Sequence, residues 1–252
     1  MLVMGILNVT PDSFADGGKH LEVEAAIARA KEMVEEGVDI IDVGGESTRP
    51  GAERISLEEE LNRVLPVIKG IAGFGVKISI DTTRAEVARK AIEAGAAIVN
   101  DVSGGKADPE MFSTVAALEC KYILMHWRTH SKDMNSLAVY GDVVAEVLAE
   151  LTEQIEKALL AGVKKENLVI DPGLGFSKDV KHNWEILERV DELIATGYPV
   201  LIGGSRKRFL GGDDPAKREA ATVDLTRSLI GKGIWGVRVH SVKPHKDVIG
   251  AM

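Results

Sequence analysis

GILNVTPDSFADGG, residues 5–18, sets a short apolar strand directly before a polar stretch that closes on two glycines. The strand runs out into Asn8, Thr10, Asp12 and Ser13, so hydrogen-bonding groups gather at its C-terminal rim. The pattern recurs in LVMGILNV (2–9), VDIIDVGG (38–45), VKISIDT (76–82), AIVNDVSG (97–104), KYILMHW (121–127), LVIDPG (168–173), VLIGGS (200–205) and GVRVHSV (236–242). Near-continuous apolar strands of this kind are buried on both faces, as in a parallel sheet. Between them lie amphipathic stretches at 23–37, 56–71, 84–95, 141–162 and 181–197. In the first of these, Ala26, Ala30, Met33 and Val34 share one face. Ser56 with Glu59 has the spacing of a capping box, and Gly37, Gly95, Gly162 and Gly197 stand where left-handed C-caps belong. Strand–helix alternation implies right-handed βα units. With no Ser/Pro-rich linker, the pattern predicts one α/β domain over 1–252, a single (β/α)8 TIM barrel. An open doubly wound sheet would want G-x-G-x-x-G after strand 1, and it is absent.

Composition narrows the partners. A formal charge of −8 disfavours nucleic acid, whose phosphates attract basic surfaces. The single cysteine, Cys120, precludes an internal disulfide and fits a reducing cytoplasm. No apolar run reaches the ~20 residues that span a bilayer, and no signal peptide is visible, so the expectation is a cytoplasmic protein without a membrane partner.

Chemistry in such a barrel sits at the C-terminal ends of the strands. Those ends carry Asn8, Glu46, Asp81, Asn100 with Asp101, His126, Asp171, Ser205 with Lys207, and Arg238 with His240. Asp, Asn and Ser suit strand-to-helix turns whatever the function. Polar ends on all of the strands exceed what turns require and predict a concave site of acids and cations. On strand 8, Arg238 and His240 alternate with Val237 and Val239, so both point to one side. A buried arginine there calls for an anion. Ser241 falls on the opposite face with Val239.

These residues, with GGESTRPGA (44–52), IDTTR (80–84), VNDVSGG (99–105), LMHW (124–127), DPGLGFSK (171–178), GSRKRFLG (204–211) and RVHSV (238–242), resemble the dihydropteroate synthase family in order and over nearly the whole chain. The resemblance implies an eight-stranded barrel that joins 6-hydroxymethyl-7,8-dihydropterin diphosphate to p-aminobenzoate. Diphosphate is released and 7,8-dihydropteroate is formed for folate synthesis, with Mg2+ as cofactor. It further implies a homodimer, a sulfonamide target and a dissociative reaction, in which the aniline nitrogen attacks a pterin methyl cation.

Roles follow residue by residue. The resemblance gives the pterin's paired N–H donors to Asp171, a neighbouring edge to Asn100, and the reduced ring to Asp81. Lys207 meets the pterin carbonyl and ring nitrogen, and Lys207, Asp81 and Arg238 carry the catalytic roles. Diphosphate falls to Thr48, Arg238 and His240, and the metal to Asn8. Arg49, Pro50, Phe176 and Ser205 form the p-aminobenzoate slot, with backbone N–H groups of the helix after Ser205 supporting the benzoate carboxylate. Residues 10–18 and 46–52 are expected to close over the site and to be ordered by diphosphate and Mg2+ before p-aminobenzoate binds.

Departures from the family pattern stand at Ser241 (usually Asp), Ala15 (usually Ser), Gly204, and Asp224 with Arg227 in a helix tied to the family's dimer interface. They keep a second reading open, a pterin-binding paralogue without turnover. A methyltetrahydrofolate-type methyltransferase would share the barrel and the pterin grip, but would need neither STRPG nor SRK.

Overall fold

The computed structural model describes residues 1–10, 19–46, 54–129 and 137–251. The strands are β1 (Leu2–Asn8), β2 (Ile40–Gly44), β3 (Lys77–Asp81), β4 (Ile98–Asp101), β5 (Lys121–Met125), β6 (Leu168–Asp171), β7 (Leu201–Ile202) and β8 (Gly236–Val239). All pair in parallel, in the order β6-β5-β4-β3-β2-β1-β8-β7. A bridge between Ile170 and Val200, backed by the Ile170 N–H donating to the Pro199 carbonyl at 2.9 Å, joins β6 to β7. The sheet is thus a nearly closed (β/α)8 barrel.

The helices are α1 (Lys19–Glu35), α2 (Leu57–Ile71), α3 (Ala85–Glu93), α4 (Met111–Leu118), α5 (Val143–Leu160), α6 (Val180–Glu188), α7 (Val190–Ile194), α8 (Arg208–Gly211), α9 (Pro215–Leu229) and α10 (Lys243–Gly250). Ser56 caps α2, its Oγ accepting the Glu59 N–H at 3.1 Å. Gly37, Gly95, Gly162 and Gly197 all take the positive φ that a left-handed cap demands. The stretch 181–197 reads as one helix but folds as α6 and α7. The break falls at Arg189, which pairs with Glu185, Glu192 and, across to the cap of α5, Asp142. No Pro or Gly marks it. Helix α4, MFSTVAAL, lacks a charged face, which hides its period, and it ends on Glu119 at φ 50° where a glycine would have signalled a stop. The helix before β8, which holds Asp224 and Arg227, runs from Pro215 to Leu229.

Two apolar layers separate at the strands. Outward residues such as Leu7, Ile41 and Val43 share one buried apolar cluster with Ala26, Ala30 and Met33 of α1. Inward, Met4, Ile40, Ile98, Ile123, Val169 and Leu201 fill the barrel, closed below by Leu2 and Trp235. Each such side chain contributes about 1.5–3 kcal/mol by leaving water. Two residues further along the strands, the inward positions become Asp42, Asn100 and Asp171. The apolar plug is therefore the floor of a polar mouth.

Candidate active site

Asp42, on the second turn of inward positions in β2, is fully buried. Its Oδ2 accepts the Arg238 Nε–H at 2.6 Å and the Asn100 Nδ2–H at 3.0 Å. Arg238 also donates from Nη2 to Asp81 Oδ2 at 2.6 Å. One guanidinium from β8 thus ties β2 to β3, and Asn100 adds β4. The anion that strand 8 required is supplied, in the first place, by the chain's own carboxylates. One cation cannot neutralise two buried acids. Burial outweighs the arginine at Asp81 and, with Asp42 adding repulsion, pushes its carboxyl up to about 7. Arg238, half-buried, is held firmly charged by Asp42 and Asp81. Asp42 Oδ1 has no hydrogen-bond partner among the described residues. Sequence reasoning missed Asp42; its signal was an acid standing inside the apolar run IIDVG.

The second group lies on β6 and β7. Asp171 Oδ1 accepts the Gly173 N–H at 2.7 Å, and a Cβ added at Gly203 would stand 3.2 Å from Oδ2. Gly203 therefore leaves room for the carboxylate on the inner wall. Burial raises the Asp171 pKa, while the Gly173 N–H and the charges of Lys207 and Arg238 pull it back. Lys207 Nζ donates to the Leu174 carbonyl and lies 4.3 Å from the Phe176 ring centroid. Burial lowers Lys207 to about 8 despite the attraction of Asp171.

Ser205 links β7 to β8: its Oγ is 2.9 Å from His240 Nδ1 and accepts the His240 N–H at 3.2 Å. The helix expected to hold the benzoate carboxylate is only the single turn of α8, Arg208–Gly211, so its dipole counts for little. Ser241 lies past the bend that follows β8, outside the strand whose alternation predicts its facing. Its Oγ accepts from Arg206 Nη2 at 2.9 Å, and Arg206 Nε in turn donates to Glu219 of α9 at 2.5 Å.

Other strand ends do not join these groups. Glu46 pairs with Arg54 and Arg84. Asp101 is a turn acid, accepting from Ser103, Gly105 and Tyr122. His126 is buried against Glu150 and Lys178. Cys120 is a buried thiol that burial raises to about 11. Thr48, Arg49 and Pro50, with most of the two expected closing loops and Ala15, lie outside the described residues.

For a metal, the donors at the rim are hard oxygens. A Cβ at Gly44 would stand 3.6 Å from Asp81 Oδ2 and 3.8 Å from Asn8 Oδ1, so the bare glycine keeps a gap between an amide and a carboxylate oxygen. Among the described residues no group of three or more His, Cys, Asp or Glu side chains forms a cage. That donor set fits Mg2+ held chiefly by a phosphate substrate.

Nearly the whole chain is similar to known proteins. The model of the "Pterin binding enzyme" family matches residues 4–240. The chain is 51% identical to the dihydropteroate synthase of Mycobacterium leprae, covering 99% of this chain and 92% of the relative. It is 48% identical to that of Staphylococcus haemolyticus, covering 95% and 89%. The Xanthomonas albilineans dihydropteroate synthase solved with 4-aminobenzoic acid superposes with TM-score 0.92 at 43% identity, covering 99% of this chain and 91% of that one. The Yersinia pestis enzyme, solved as a sulfonamide drug complex, superposes with TM-score 0.93 at 37% identity, covering 99% and 92%.

Proposed function

The chain belongs to the dihydropteroate synthase family of pterin-binding enzymes, and from that membership we propose how its own residues perform the family's reaction. It is a transferase that condenses 6-hydroxymethyl-7,8-dihydropterin diphosphate with p-aminobenzoate to 7,8-dihydropteroate and diphosphate. The observation that carries this reading is the barrel mouth itself, where Asp171 is braced by the Gly173 N–H, Lys207 bonds the Leu174 carbonyl of the same loop, and Arg238 clasps Asp42 and Asp81.

Asp171 is placed to accept the two adjacent N–H donors of the 2-amino-4-oxo edge, and a carboxylate accepting both fixes the ring's direction as well as its affinity. Asn100, its amide oriented by Asp42, takes a neighbouring edge. Asp81 faces the reduced ring's remaining donors, and fully buried Asp42 holds Arg238 beside it. Lys207 leaves the Leu174 carbonyl for the pterin carbonyl and ring nitrogen while its stem stays on Phe176. Phe176 then walls the aromatic slot, and Ser205 offers its hydroxyl to the benzoate carboxylate. Arg238 and His240 hold the diphosphate, so negative charge accumulating on the leaving oxygen is met by fixed cations. The methylene carbon–oxygen bond breaks first; the aniline nitrogen attacks the resulting cation and loses a proton. Positioning and charge stabilisation suffice, with no covalent nucleophile. Asn8 would hold Mg2+, which when bound supplies neutralisation of the diphosphate. Thr48, Arg49 and Pro50 complete the set by resemblance.

The same reading makes the chain one domain, cytoplasmic and homodimeric, with sulfonamides competing for the p-aminobenzoate slot. Among the described residues no helix is long and apolar enough to cross a membrane. Asp224 and Arg227 form an exposed ion pair on α9, so a dimer using that face must accommodate charge. The deciding experiment is diphosphate release by the purified protein. Release that depends on p-aminobenzoate is expected, and a folded protein that binds pterin without turnover would mark the paralogue instead.

A further inference from the structure

The β6 loop, residues 172–178, has an unusual backbone. Gly173, Gly175 and Ser177 all take positive φ, at 68°, 74° and 47°. The glycines adopt this freely, and Gly173 must be one, since a Cβ there would lie 2.3 Å from the His126 carbonyl oxygen. Ser177 gains nothing from a glycine's freedom and is strained, its Oγ buried without a partner among the described residues. The positive-φ residues turn the Gly173 and Leu174 carbonyls to different partners. Leu174 presents its oxygen to Lys207, while Gly173 and Phe176 present theirs to Lys178 at 3.1 Å each.

Lys178 has a third acceptor, His126 Nδ1 at 2.9 Å. Burial pulls the Lys178 pKa well below its ordinary value, yet three acceptors use the three N–H bonds of an ammonium, one more than a neutral amine could give, so these contacts keep the proton on Nζ. His126 must then keep Nδ1 bare and carry its proton on Nε2, which meets Glu150 Oε2 at 3.0 Å. Arg128 fixes Glu150 from the other side. Burial pushes His126 down to about 4, with the Lys178 charge acting the same way, so the ring stays neutral. The substrates do not require this chain of contacts, yet it ends on the loop that carries Phe176 and braces Asp171 through the Gly173 N–H.

We propose that Lys178, seated on His126, is a positioning residue: its ammonium holds the strained β6 loop so that Phe176 and Asp171 stand ready for p-aminobenzoate and pterin. The proposal rests on the synthase reading above for its kinetic consequence, but the loop itself can be observed without turnover. Lys178→Met, His126→Phe and the double variant are compared with wild type by amide hydrogen exchange, by calorimetry with a pterin analogue, and by steady-state kinetics. In Lys178→Met, exchange at Gly175 and Phe176 should quicken by about tenfold or more while β-strand amides hold. The KM for p-aminobenzoate should rise about tenfold, with a smaller fall in kcat. His126→Phe should move both readouts the same way by less, and the double variant should be no worse than Lys178→Met, as for groups acting in one unit. Should Lys178→Met not fold, Lys178→Gln, which keeps part of the donor set, takes its place. Wild-type exchange and KM in a folded Lys178 variant, or strictly additive effects, would overturn the proposal. If wild type itself releases no diphosphate, the synthase reading fails and the exchange comparison alone decides the role of Lys178.

Discussion

Arg238 of β8 donates Nε–H to Asp42 of β2 at 2.6 Å, across β1, which lies between the two strands. The same guanidinium reaches Asp81 of β3. A residue assigned to the leaving group is therefore also the clasp of the barrel mouth, and its removal should have two separable effects. Arg238→Ala strands a fully buried carboxylate, which costs about 3–5 kcal/mol. Urea denaturation should show that loss, and diphosphate release should collapse. The pair Asp42→Leu with Arg238→Met should recover most of the stability and none of the turnover. Recovery of turnover as well would remove Arg238 from the chemistry.

Asp171→Ala should abolish pterin binding in a folded barrel. Each pterin donor left unpaired costs about 1–3 kcal/mol, so a calorimetric titration should show at least tenfold weaker binding of a pterin analogue. The Gly173 N–H also loses its acceptor, which adds a modest decrease in thermal midpoint. Unchanged affinity would exclude Asp171 from the site.

Asp81 near 7 and Lys207 near 8 bracket the working range of the free protein. Asp81 must be ionised to accept a pterin N–H, and Lys207 must be charged to donate. The profile of kcat/KM for the pterin substrate should thus be bell-shaped, falling below about 7 and above about 8. Lys207→Arg should remove the alkaline fall, because a guanidinium does not titrate there.

Stability follows the opposite logic at the same two groups. Asp81 binds its proton more tightly folded than unfolded, so its contribution is present below its ordinary value of 3.8 and is lost as pH rises through about 7. Lys207 releases its proton more readily folded than unfolded. Its contribution grows as pH climbs from about 8 towards its ordinary 10.5. Denaturation of Asp81→Asn should show a flatter acid-to-neutral dependence than wild type; an unaltered slope would contradict the raised Asp81 value.

Ser241→Asp should change little. The side chain points towards Arg206 and Glu219, and a new carboxylate there forms at most a partly exposed ion pair, worth under about 1 kcal/mol. Diphosphate release should stay within about twofold of wild type, as expected of a change away from the reacting groups. An inert wild type restored by Ser241→Asp would favour the paralogue reading.

The sequence by itself determined the barrel, because strand and helix periods are local and each apolar run declares its own burial. It also determined which residues stand at strand ends, and the facing of Arg238, since alternation along a strand is fixed by backbone geometry. Tertiary structure alone decided which ends meet. Asp42 became the hub of the mouth because β2 and β8 curve within reach across β1, whereas Glu46 was drawn off by Arg54 and Arg84. The break at Arg189 and the seat of Lys178 on His126 were likewise invisible beforehand. Ion pairs and hydrogen bonds between residues far apart in sequence leave no period, and only the closed barrel brings their partners together.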